Sequence, residues 1–142
     1  MPITFEQIRN EAQAVMGVAR LPAYPVQHFP PLDEEHRRNS RRYAQVRTGE
    51  SPRMEFAGAM CELAPEHRLG LYAHEVGHLL YPGGGEADAD LAAYGLLGVH
   101  IGYDRQWPGK GLQTAILAPK KLWRIVGEPQ AQNIRAANGF RR

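Results

Sequence analysis

The sequence predicts a compact α+β domain, a small sheet set beside amphipathic helices. Three observations lead there. Apolar residues recur at helical spacing in "TFEQIRNEAQAVMGV", and a long candidate helix, "EHRLGLYAHEVGHLLY", opens on a proline. "YAQVR" and "RMEFAGAMCEL" alternate with the period of a strand and are separated by the turn residues "TGESP". The 142 residues, 43% of them hydrophobic, suffice for one domain, residues 1–142, with a core that needs no staple.

In chain order, Thr4 can cap the first helix, with Gln7 as its reciprocal partner, and Gly17 suggests the stop. Phe5, Ile8, Ala12 and Val15 or Met16 form its apolar stripe. "LPAYPVQHFPPL" has four prolines and reads as extended loop. In the second strand, Ala57, Ala59, Cys61 and Leu63 are expected on one face and Met54, Phe56 and Met60 on the other. Pro65 opens the next helix, which Pro82 and Gly83 to Gly85 end. "EADADLAAYGLLGV" restarts a helix with acids in its first turn, where the dipole favours negative charge. "HIGYDRQWPGKG" reads as loop. "LQTAILAPKKLWRIVG" holds a strand or short helix, then a helix from Pro119 to Gly127. The tail adds a turn of helix before Asn138-Gly139.

The chemistry concentrates in "HEVGHLLYPGGGEADAD". His74 and His78 are four residues apart on a helix, so they share a face with about 6 Å between Cβ atoms. Two such imidazoles can take two corners of a tetrahedral zinc site. Glu75 sits one residue round, where its carboxylate reaches a metal-bound water without ligating the metal. This is the H-E-x-x-H arrangement, with the glutamate as general base. Gly77 lets another segment approach the helix closely. The break "PGGG" can fold the next helix back, bringing Glu86 toward the histidines with Asp90 four residues on. An aspartate there can accept a hydrogen bond from the free ring nitrogen of a ligating histidine and fix its orientation.

"HEVGH" followed by "EADADLAAYGLL" resembles the gluzincins, zinc peptidases of the H-E-x-x-H plus E-x-x-x-D type. It is most similar to the compact phage-repressor-processing and radiation-response metallopeptidases (the ImmA/IrrE type). Glu86, Ala89, Asp90, Ala93 and Leu96-Leu97 match their second helix. The resemblance covers about 40 residues, from "AMCEL" to Gly98. It implies a zincin-like fold, one Zn²⁺ held by His74, His78 and Glu86, Glu75 as base, Asp90 behind a ligand, and a protein or peptide substrate laid along an edge strand, here "MEFAGAMCEL". One departure stands out. Only seven residues separate His78 from Glu86, short for a gluzincin. The metzincin position, six after the second histidine, is Gly84, which cannot ligate. Asp88 and Asp90 therefore stay open as alternatives to Glu86.

Tyr94, His100 and Tyr103 are candidates to stabilise the transition state. His28, His36 and His67 read as surface or structural. The five arginines from Arg37 to Arg47 read as a solvated strand and turn. With a net charge of only +2 and no helix-turn-helix segment, nucleic acid is not an expected partner. The alternative function is an inert zinc-binding regulatory or phage-associated module, or one that binds nucleic acid through that arginine cluster. A single cysteine, Cys61, forms no intrachain disulfide and fits a buried thiol in a reducing compartment. There is no signal pattern at the start and no run near the roughly 20 apolar residues of a membrane span. A cytoplasmic location is the expectation.

Overall fold

A computed structural model describes residues 2–29, 43–104 and 112–127. The architecture is α+β. Helix α1 (Phe5–Val18) opens on the expected capping box: Gln7 N donates to Thr4 Oγ1 at 3.1 Å, and Thr4 N donates to Gln7 Oε1 at 2.8 Å. It buries Ile8, Ala12, Val15 and Met16. The helix runs one residue past Gly17, and the chain turns instead at Arg20, whose φ is 62°.

The proline-rich segment is extended, but it also pairs. Strand β1 (Val26–His28) lies parallel to β3 (Arg53–Phe56), and β2 (Ala44–Arg47) lies antiparallel on the other side of β3. The three-residue strand begins just after Pro25, whose carbonyl still accepts from Met54 N at 3.0 Å, so a proline at the start of the strand leaves the pairing of Val26–His28 intact. The hairpin β2–β3 has the expected turn. The strand expected through Leu63 ends at Phe56, however, and Gly58–Glu62 forms a 3-10 turn. Ala57 N still donates to Tyr43 O at 2.8 Å, after which Met60 N closes back on Ala57 O. Ala, Gly and Ala at 57–59 hold a strand weakly. Ala59 is therefore exposed and Cys61 half-buried rather than facing the core together. Met54, Phe56 and Met60 are all buried, Met60 from the 3-10 turn. The sheet order β1-β3-β2 corrects a second expectation: "MEFAGAMCEL" begins in the central strand, so it is not an edge.

Helix α2 (Pro65–Leu80) is the axis of the domain. Twelve of its sixteen residues are buried, more than any surface helix would hide. It packs against α1, β2, the hairpin of β4 (His100–Asp104) and β5 (Leu112–Leu117), α3 (Glu86–Leu97) and α4 (Lys120–Val126). At Gly70 an added Cβ would stand 2.8 Å from the Thr114 backbone, so β5 rests directly on the helix. β4 corrects the loop expected at residues 100–104. It pairs with β5, Ile101 against Ala115 and Tyr103 against Gln113, and Gly102 leaves room for Ile116. Gly98 closes α3 at φ 72°, and Gly127 closes α4 at φ 93°. Among the described residues, no helix is long and apolar enough to cross a membrane. Arg37, Arg38, Arg41 and Arg42, His36 and the tail from residue 128 lie outside the described residues.

One buried polar cluster ties three helices together. The Arg68 guanidinium donates to both Glu11 oxygens at 2.9 and 3.1 Å and to the carbonyls of Leu63 and Val126, each at 2.8 Å. Tyr72 Oη donates to Glu11 Oε1 at 2.7 Å. Removing one member leaves the others desolvated without their partner. Glu11→Ala should therefore destabilise the fold by about 3–5 kcal/mol, the usual loss when half of a buried ion pair is deleted. Urea unfolding of the two proteins checks this, and a loss under 1 kcal/mol would contradict the arrangement.

Candidate metal centre

Helix α2 presents His74 and His78 one turn apart, their ring centroids 4.8 Å from each other and their planes at 87°. Helix α3 begins after the glycine turn and brings Glu86 over the same face. His74 Nε2 lies 2.9 Å and His78 Nε2 2.7 Å from Glu86 Oε1. The two imidazoles and the carboxylate offer ligand atoms within 4.8 Å of one another, a group that could hold a metal ion. Around a tetrahedral zinc at about 2.0–2.1 Å, donor atoms stand about 3.3 Å apart. The observed spacings are those of hydrogen bonds, so Glu86 has to withdraw by roughly half an ångström. Its side chain is 67% exposed and has the room.

Close helix packing makes this convergence. An added Cβ at Gly77 would stand 2.1 Å from Ala89 O, a distance no side chain tolerates. Ala89, Ala93 and Leu97 fill the seam between α2 and α3. Asp90 then reaches the far nitrogen of His74: its Oδ1 is 2.7 Å from Nδ1. Its Oδ2 accepts from Tyr103 Oη on β4, also at 2.7 Å. Asp88 turns the other way and accepts from Gly85 N at 3.0 Å, which caps the helix start. Of the three acids left open, Glu86 meets both histidines, Asp90 sits behind His74, and Asp88 serves the cap.

Glu75 is buried, 5% exposed, and its charge raises the pKa values of both His74 and Tyr103. It therefore belongs to the same electrostatic cluster. Tyr94 and His100 pair with each other instead, ring centroids 6.1 Å apart. His28 stacks on Phe5 at 3.6 Å, and His67 Nδ1 lies 3.3 Å from Gln113 O. Tyr103 was one of three residues of equal standing in the sequence; its alternation with Ile101 was the available signal for a strand that faces Asp90.

The charges explain the hydrogen bonds. Burial pushes the His74 imidazolium down, but the bond to Asp90 and the charges of Glu75, Asp90 and Glu86 outweigh it and raise the pKa to about 9. Burial pushes the Glu86 carboxyl up, and its bonds with His78 and His74 hold it below its ordinary value. Comparison of the chain with protein-family models, with curated proteins and with solved structures finds no match.

Two outcomes follow. Gly77→Ala should force α3 off α2, destabilise the fold by about 1–3 kcal/mol or more and weaken metal uptake. Gly95→Ala, with nothing within 4 Å of the added Cβ, should be neutral or slightly stabilising. Calorimetry and zinc titration of both variants check the contrast. The second outcome concerns chelator-treated protein. A His74 pKa raised above its ordinary 6.5 contributes stability that is complete below about pH 6.5 and lost as pH rises through about 9. Chelator-treated protein should therefore lose on the order of a few kcal/mol across that window, and His74→Gln should remove most of the slope. Urea unfolding between pH 6 and 10 is the measurement.

Proposed function

We propose that the chain is a zinc-dependent metallopeptidase of the gluzincin type that hydrolyses peptide bonds. The observation that carries this reading is the convergence of His74 Nε2, His78 Nε2 and Glu86 Oε1, with a carboxylate behind His74. Two imidazoles and one carboxylate suit zinc over the harder cations, which prefer all-oxygen sites. Three protein ligands leave the fourth position open, as catalysis requires and a structural site does not. Zinc held there would supply a Lewis acid that brings the pKa of water toward 7 and polarises a carbonyl.

The remaining work falls to the chain's own residues. Glu75 takes the proton of the attacking water and returns one to the leaving amine. Asp90, bonded to His74 Nδ1, would hold the tautomer that leaves Nε2 free to ligate a metal. The substrate adds as a strand to β2, which among the described residues lies at the edge of the sheet and packs against α2. This replaces the central strand β3 in that role. Arg47 and Arg53 are engaged with the buried Glu55, at 3.1 and 3.2 Å, which argues against a nucleic-acid face on that part of the sheet.

The test separates an enzyme from an inert zinc module. Purified protein should carry about one zinc per chain. Glu75→Gln keeps the side chain's size and removes its basicity, so it should retain zinc and fold. It should lose cleavage of a peptide substrate by about 10²–10⁴-fold, the usual worth of general acid–base help. Proteome-wide cleavage profiling with both proteins supplies the substrate and the comparison. Equal cleavage by wild type and variant would end this mechanism.

A further inference from the structure

We propose that Tyr103 is a positioning residue for the metal centre, acting on His74 through Asp90. The inference rests on the metal-binding reading of His74, His78 and Glu86, and it reaches beyond the ligand set to the β4–β5 hairpin. An aspartate held by a single hydrogen bond can still rotate about its terminal torsion, which is broad and soft. Asp90 is held by two. Its Oδ1 meets His74 Nδ1 and its Oδ2 accepts from Tyr103 Oη, each at 2.7 Å. Two contacts on opposite oxygens fix the carboxylate plane, and with it the plane of the imidazole.

The surroundings make that second contact consequential. His74 is 2% exposed and depends on protein groups for its orientation, whereas the Asp90 side chain is 25% exposed and open to competing water. Tyr103 occupies the oxygen that water would otherwise take. Its own place is set by pairing with Gln113 on β5, and β5 rests on α2 at Gly70. The hairpin is thus anchored on the helix that carries the histidines. Burial and the Asp90 carboxylate hold the phenol above its ordinary pKa, so it remains a donor at neutral pH.

The experiment measures metal binding and needs no substrate. Zinc affinity is determined by competition with a chromophoric chelator for wild type, Tyr103→Phe, Asp90→Ala and the double variant. Cobalt-substituted samples give the absorption spectrum of the site, and thermal unfolding reports the fold separately. Tyr103→Phe keeps the ring and should lower zinc affinity about tenfold, the low end of what loss of an outer partner does. It should also shift the cobalt bands. The double variant should bind no more weakly than Asp90→Ala alone, because the tyrosine acts through the aspartate. Unchanged affinity and spectrum in Tyr103→Phe would overturn the inference while leaving the metal centre standing. A double variant about tenfold weaker than Asp90→Ala would overturn it too, by showing an independent route. Wild type that takes up no zinc would remove the metal centre itself and this inference with it.

Discussion

The contact between Gly77 and Ala89 sets the geometry of everything around it. With an added Cβ at 2.1 Å from Ala89 O, any other residue at position 77 would hold the two helices apart. Their separation fixes whether Glu86 reaches the histidines at all. The glycine lies between the two histidines in sequence, so the closest point of the helix seam falls beside the cluster. Small residues on the facing helix, Ala89 and Ala93, complete the approach. The triple glycine before α3 is the second half of the same requirement. Gly83 has φ 85°, and an added Cβ at Gly84 would stand 2.6 Å from the Tyr81 ring, so the short connection depends on residues without side chains.

Helix α2 is held at both ends by polar groups that need the rest of the chain. Near its start, Arg68 and Tyr72 engage Glu11 of α1 and the C-terminal carbonyl of α4. Near its end, the histidines engage α3. A helix fixed at only one end could tilt, and an ångström of tilt at His78 would open the cluster. The apolar residues between, Leu69, Ala73 and Val76 among them, supply the burial, while the polar contacts decide the register in which that burial occurs.

The helices were legible because local chemistry marks them. The Thr4–Gln7 box, Pro65, the glycine turn and Gly127 act within a few residues. The hairpin β2–β3 was legible for the same reason. What was not legible depends on partners distant in sequence. β1 became a strand because β3 lies beside it, although Pro22, Pro25 and Pro30 argued for loop. β4 was hidden by Gly102, a loop signal on its own and a packing requirement once Ile116 faces it. The strand after Phe56 was over-extended, since alternation continues through residues that hold a strand weakly. At the cluster, H-E-x-x-H and the acid four residues before Asp90 were readable from helical spacing. The link from Asp90 to Tyr103 was not, because no spacing rule connects a helix to a strand that was itself unread. The Arg68–Glu11 pair spans 57 residues and left no local trace.

Glu11 and Glu55 meet one kind of partner, Glu86 and Asp90 another, and the difference bears on what the cluster can do. Glu11 is held by Arg68, and Glu55 by Arg47, Arg53 and Gln45. An arginine stays charged at every physiological pH, so these carboxylates have permanent counter-ions, and the pairs suit a structural role. Glu86 and Asp90 are bonded instead to imidazoles and a phenol. An imidazole is a conditional cation that can release its proton to solvent and offer the freed nitrogen to a metal ion. With Glu75 beside them, three carboxylates surround His74 and outnumber the two imidazoles of the cluster. A dication at the three ligand atoms answers that imbalance more fully than a proton can. Setting a buried Glu75 and a half-buried Asp90 among groups whose charge is exchangeable costs stability that arginines would have secured. That cost is consistent with a group of side chains, His74, His78 and Glu86, that could exchange a proton for a metal ion.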